Sequence, residues 1–289
     1  MLMNAEITRI ENFIKNYVRE EEKVVIMVSG GLDSDVTARL CCRALGRERI
    51  RLCMVIQSEM EQKFHKQAVE LAQDLGVRLA EVHLENINRV LTGALEQGEP
   101  EVFRLNTLLD PAKAKCSLRS AVISCYQDKG YIIAGTTNKT EKLLGFFLTF
   151  GDNLANFKPL AHLYRTQVSK IAEKIGTAPD VIRQEASAGF WEGQTDAEDL
   201  AYWIINRGPI LTPREFSDEE IALAQAMIPE LTPDNIDAVL AMYEADEGVE
   251  ATMGKTRVSK AVVEGLFNVA DKAPVYKTRR IMVEMEEGW

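Results

Sequence analysis

The run Lys23-Val24-Val25-Ile26-Met27-Val28, closed by Ser29-Gly30-Gly31, constrains this chain more than any other stretch. It is short, apolar and rich in β-branched residues, so it reads as a strand covered on both faces and ended by a turn. A helix restarts near Ser34. The alternation continues with a strand at 51–56, a helix carrying Phe64, Ala68, Leu71, Ala72 and Leu75 on one face, and a strand at 79–84. After a polar stretch over 98–111 come a helix over 117–129 and a strand at 131–134. This order predicts parallel strands joined by crossover helices, an α/β fold built as a doubly wound parallel sheet flanked by helices.

Ile7, Ile10, Phe13, Ile14, Tyr17 and Val18 lie on one helical face and predict a packing helix over 4–20. A second amphipathic segment, 166–175, is stopped by Gly176. From Pro213 onward the patterns are helical only, at 217–227, 232–244 and 259–269. The expected division is a core over 1–205 and a helical C-terminal region over 206–289 packing on it.

Charge narrows the function. With 34 Lys and Arg against 44 Asp and Glu, the formal net charge is -10. That argues against a nucleic-acid partner, since phosphate-backbone binding gathers many cations on one face. No apolar run approaches the roughly 20 residues a bilayer needs, so no membrane partner is expected. The opening Met1-Leu2-Met3-Asn4-Ala5-Glu6 carries no secretory signal, and a cytoplasmic address follows as an expectation. Five cysteines without a C-x-x-C pair suit reduced thiols, and His65, His83 and His162 lack zinc-ligand spacing.

The chemistry concentrates in Ser29-Gly30-Gly31-Leu32-Asp33-Ser34, between a strand and a helix. Glycines without Cβ let the backbone close around an anion, and the amides of the turn and the helix start converge on one hollow. Ser29 and Ser34 offer hydroxyls to phosphate oxygens. Asp33 would repel phosphate unless a divalent cation lay between them, which argues for Mg²⁺. Neither G-x-x-x-x-G-K-[ST] nor G-x-G-x-x-G is present, so Walker and Rossmann readings fail.

This S-G-G-x-D-S loop resembles that of the N-type ATP pyrophosphatases, the PP-loop family that cleaves ATP between the α and β phosphates. Further segments resemble its NAD synthetase branch: Gly135-Thr136-Thr137-Asn138-Lys139-Thr140-Glu141, Gly145-Phe146-Phe147 with Gly151-Asp152, and Lys158-Pro159-Leu160 through Leu163-Tyr164-Arg165-Thr166-Gln167-Val168. Ser187-Ala188-Gly189-Phe190-Trp191-Glu192-Gly193-Gln194-Thr195-Asp196 resembles that branch's mobile loop, although Trp191 reads equally well as a core residue. The resemblance runs, with gaps, over about residues 24–200 and implies an adenine nucleotide alpha hydrolase-like fold. It also implies a two-step reaction, in which a carboxylate attacks the α-phosphorus of ATP and ammonia then displaces AMP to form an amide.

By position the resemblance makes Asp33 and Glu141 the metal-binding and catalytic carboxylates. It makes Ser29, Gly30, Gly31, Leu32, Asp33 and Ser34 the pyrophosphate loop. Thr136, Arg165 and Ser187 become ATP contacts, the last two standing where the branch carries a lysine and a threonine. The acid-substrate positions depart more. Ser117-Leu118-Arg119 keeps only the second of two arginines, Thr149 replaces a lysine and Asn156 an aspartate. Asp271-Lys272 stands for a His-Lys pair, with Tyr276-Lys277 as the alternative. The segment 203–231 reads as an insertion relative to compact members.

The resemblance therefore favours deamido-NAD as the acid, with amidation of a different carboxylic acid as the alternative. A base-thiolating pyrophosphatase would want a basic surface and cysteine pairs, and neither is in the sequence. A nucleotide-binding regulator without turnover sits poorly with Asp33 and Glu141 both present. The chain is too short for an appended glutaminase, so the nitrogen source is expected to be free ammonia or ammonia passed from a separate partner. Homodimerisation is a further implication, with the N-terminal helix and residues 110–130 as candidate interface elements.

Overall fold

The computed structural model describes residues 2–56, 60–84, 87–103, 109–145, 154–187, 192–208, 210 and 214–277. Four strands, β1 (Lys23–Met27), β2 (Ile50–Ile56), β3 (Leu79–His83) and β4 (Tyr131–Ala134), pair in the order β3-β2-β1-β4. All pairings are parallel, with Val24 opposite Ile50 on one side and Ile132 on the other. The chain therefore leaves β1 in one direction toward β2 and β3, and returns to its other side as β4. Such a reversal opens a crevice at the carboxyl ends of the two strands, where open α/β sheets place their ligands.

Alternate residues of β1 serve opposite faces. Val24 and Ile26 pack with Leu52 and Met54 against α1 (Leu2–Tyr17), α2 (Leu32–Leu45), α3 (Gln62–Leu75) and, later in the chain, the helix Arg165–Ile175. Val25 points the other way, joining Cys53, Ile133 and Ile123. That face is covered by α5 (Leu109–Gln127), along which α4 (Ile87–Gly98) packs. The sheet is thus covered on both sides, as its unbroken apolar strands require.

After β4 come α6 (Lys139–Leu144), α7 (Arg165–Ile175) and α8 (Pro179–Arg183). Five more helices follow: α9 (Asp196–Ile205), α10 (Asp218–Met227), α11 (Pro233–Glu244), α12 (Val249–Thr256) and α13 (Lys260–Lys277). They share a second core built from Leu200, Ala201, Leu240, Val262 and Leu266, into which α6 inserts Leu144. At Gly265 the backbone of α13 comes so near α9 that a Cβ would lie 2.3 Å from Ile204 Cγ2.

Several helices depart from the sequence expectations. No helix was expected over 87–98, and α4 forms there. The polar stretch over 98–111 ends in the first turn of α5, which starts at Leu109 rather than near 117; a proline is tolerated in a first turn because its missing N–H has no intrahelical partner there. Finally, α13 runs to Lys277, well past 269, and α12 was not foreseen. No helix among the described residues is long and apolar enough to cross a membrane. Cys41, Cys42, Cys53 and Cys125 are free thiols, and burial pushes Cys42 up to about 11.

Candidate active site

At the carboxyl end of β1 the backbone passes through Gly30 with φ +82°. A Cβ at this position would lie 2.3 Å from the Phe64 carbonyl oxygen, so both conformation and space demand glycine. The turn then closes on itself. Ser29 N donates to Ser34 Oγ (3.2 Å), Gly31 N donates to Ser29 Oγ (3.2 Å), and Ser34 Oγ donates to the Gly31 carbonyl (2.9 Å). Ser34 is buried while Ser29 is exposed, so the two hydroxyls differ in access.

Gly31 is the N-cap of α2 and supplies no capping side chain. The first-turn amides of α2 are therefore not spent on a cap, and they sit at the positive end of the helix at the sheet's crevice, where an anion is favoured.

Asp33 stands in that first turn, and two residues from the far side of the crevice reach it. Asn138 Nδ2 donates to Asp33 Oδ1 (3.1 Å), and the Arg165 guanidinium pairs with Oδ2. Asn138 is 1% exposed and also caps α6 reciprocally: its Oδ1 accepts from Glu141 N (2.9 Å), and its own N–H donates to Glu141 Oε2 (3.1 Å). One asparagine thus ties Glu141 to Asp33, which lies 105 residues before Asn138 in the chain.

Burial holds the Glu141 carboxyl well above the usual carboxylate range, and the nearby charge of Asp33 pushes the same way. The Asn138 amide opposes them; Asp196 adds a smaller push upward and Arg165 a smaller pull downward. Two carboxylates near enough to repel, with one guanidinium paired to Asp33, are short of positive charge, and that donor set suits Mg²⁺. The metal is commonly held by one or two carboxylates plus substrate phosphate oxygens. Among the described residues no three potential ligands cluster, so an all-protein cage is not what the geometry offers.

The NAD synthase family model matches residues 6–231. This chain belongs to the NAD synthase family. An NH3-dependent NAD+ synthetase of Methanocaldococcus jannaschii is 30% identical over 207 residues, covering 69% of this chain and 78% of its own length. Among solved structures, an NMN synthetase from Francisella tularensis is similar at TM-score 0.74 and 18% identity, with 98% of this chain and 99% of that one covered. An NH3-dependent NAD synthetase from Campylobacter jejuni gives TM-score 0.68 at 18% identity, covering 98% and 100%. Both structural likenesses speak to the fold.

Of the residues expected to contact ATP or metal, the structure brings Asp33, Glu141 and Arg165 together, Glu141 through Asn138; outside the Ser29–Ser34 turn, the others lie apart from that cluster. Thr136 lines a cavity of about 50 Å³ with Met27, Ile133 and Thr137 at the ends of β1 and β4. Ser187 is half-buried and directly precedes 188–191, so Trp191 lies outside the described residues. Arg119 is half-buried on α5. Asn156 is committed to backbone: its Oδ1 accepts from Ile133 N (2.8 Å), its N–H donates to the Ile133 carbonyl (2.9 Å), and its carbonyl accepts from Tyr17 OH (2.7 Å). Lys272 donates to the Arg207 carbonyl at the end of α9. Thr149 and the side chains of Ser117 and Lys277 lie outside the described residues.

Two residues escaped the sequence reading. Asn138 had a visible signal, since Asn138-x-x-Glu141 is a capping-box pattern at a helix start. Asp237, described below, had none.

Proposed function

We propose that this family member makes NAD from deamido-NAD, ATP and ammonia. The reading rests above all on the meeting of Asp33 and Glu141 at the uncapped start of α2, within a chain of the NAD synthase family. A carboxylate is a poor acyl donor because its leaving group would be oxide. Attack of the acid's carboxylate oxygen on the α-phosphorus forms an acyl-adenylate and expels pyrophosphate. Ammonia then attacks the acyl carbon; AMP leaves with the bonding pair, and one proton is lost from the nitrogen.

In this scheme the Ser29–Ser34 turn and the first amides of α2 take up the departing pyrophosphate, whose charge the helix start favours. Arg165 neutralises charge gathering near the α-phosphate, while Thr136 and Ser187 contact the nucleotide. Asp33 and Glu141 would hold Mg²⁺, which when bound supplies charge neutralisation between the phosphates and the two carboxylates. The working unit is proposed to be a cytoplasmic homodimer.

A second reading keeps the chemistry and changes the acid. Asn156 and Lys272 are engaged with backbone carbonyls and amides rather than left open for a ligand. The Francisella neighbour, named an NMN synthetase, brings a mononucleotide acid into the comparison. The test supplies ATP, Mg²⁺ and ammonium with deamido-NAD, nicotinate mononucleotide or other carboxylic acids and measures AMP. Release with deamido-NAD alone supports the first reading; release only with another acid selects the second.

A further inference from the structure

We infer that Asp237, on α11 in the helical region, is a positioning residue for the reaction: one carboxylate that fixes the helix starts bearing Glu141 and Arg165 relative to each other. Asp237 is 6% exposed. Its Oδ1 accepts from Thr140 Oγ1 (2.5 Å), next to Glu141 in the first turn of α6. Its Oδ2 accepts from Thr166 N (2.8 Å), next to Arg165 in the first turn of α7. The Thr140 hydroxyl closes the triangle by accepting from Arg165 N (3.0 Å).

The arrangement has a physical logic. The starts of α6 and α7 both carry amides without intrahelical partners and a partial positive charge. A buried carboxylate between them satisfies one such amide directly and another through the threonine hydroxyl, and the two positive helix ends favour its charge. Because both elements also reach Asp33, through Asn138 and Arg165, their relative placement decides how the guanidinium and the carboxylates face the nucleotide. Seven residues on, Glu244 repeats the grip from the same helix, pairing with Lys139 of α6 and accepting from Tyr164, the N-cap of α7. The core that α11 shares with α9 and α13 thus extends to both helix starts of the site.

The inference rests on the reading that Glu141 and Arg165 serve MgATP, and the test separates the two. Asp237→Asn keeps the shape and removes the charge; Thr140→Val removes the hydroxyl, and Thr140→Ser keeps it. Misplacement at a distance from the chemistry can cost up to roughly 10²-fold, and the expected loss in kcat/KM for ATP is about tenfold for Asp237→Asn and for Thr140→Val. The double variant is expected to be no worse than either single one, because the two act as one unit. Thr140→Ser restores wild-type kcat/KM, and the KM for ammonia stays unchanged throughout. Calorimetric binding of MgATP without any acid substrate, where no turnover occurs, should weaken in the same pattern.

Wild-type MgATP affinity in both variants, or losses that follow only a lowered melting temperature and strike the KM of every substrate alike, would overturn the inference. If the wild type forms no AMP with any acid, the proposed reaction fails, while the binding experiment still decides the role of Asp237.

Discussion

The residues proposed for the nucleotide and those proposed for the acid differ in how their polar groups are used. In the first set Asp33, Glu141 and Arg165, with Asn138, bond mainly to one another, and the amides at the start of α2 carry no side-chain cap. In the second, Asn156 is stitched to Ile133 and Tyr17, and Lys272 to Arg207. Groups that hold each other at an open helix start are poised for a ligand. Groups bonded to the protein's own backbone must first give up those bonds. On the proposed reading, the nucleotide set is assembled in advance at an open helix start, and the identity of the acid is decided by residues other than Asn156 and Lys272.

Asp33→Ala attacks the nucleotide half most directly, and AMP formation should fall by roughly 10²–10³-fold or more, the scale seen when a preorganised charge-stabilising group is removed. Its melting temperature should stay near wild type, because Asp33 is only half-buried at a helix start; normal turnover would remove the basis of the comparison. Gly30→Ala should cost about 3 kcal/mol in denaturant unfolding, from a positive φ and a Cβ driven into the Phe64 backbone. It should lower turnover as well, since the loop cannot keep its path.

Asn156→Ala probes the other side. The expected outcome is a stability loss of about 1–2 kcal/mol from the orphaned Ile133 amide, with the KM for the acid changed less than about twofold. A tenfold rise in that KM would reverse the assignment of Asn156 to the backbone.

A pH-dependent effect on stability lies outside both halves. Burial raises the Asp199 carboxyl to about 6, against 3.8 for a free one, with the Gln194 amide partly offsetting it. As pH rises through 3.8 the unfolded chain ionises first, while the folded protein keeps its proton until about 6. Stability is therefore lost over that window and stays lost above it. Asp199→Asn escapes the loss, so its melting temperature relative to wild type should climb between about pH 4 and 7. A flat difference would place the titrating group elsewhere.

Much of this was legible in the residues. The β-branched runs announce β1 and β2, and the glycines after β1 announce an anion-binding turn, because both depend on local backbone preference. The α4 helix also has a legible pattern: Ile87, Val90, Leu91, Ala94 and Leu95 recur at helical spacing, although Ile87, Val90 and Leu95 are exposed in this chain. The first turn of α5 hid behind a polar stretch and a proline. The cap that Asn138 makes on Glu141 is a local pattern, but its bond to Asp33 and that of Asp237 to Thr140 reach across 105 and 97 residues, and no local pattern records a partner at that distance. The loop motif located half the site, but its second half is assembled by tertiary contacts.

The bond between Thr140 and Asp237 also has a meaning in time. During synthesis at about 5–20 residues per second, the 97 residues between them take roughly 5–20 s to emerge. Throughout that interval the residues of the sheet and of α6 have been made without those of α11, and the segment bearing Glu141 lacks its anchor. A newborn chain can thus have its sheet in place before its catalytic machinery is aligned, so that competence to adenylate is acquired late in translation.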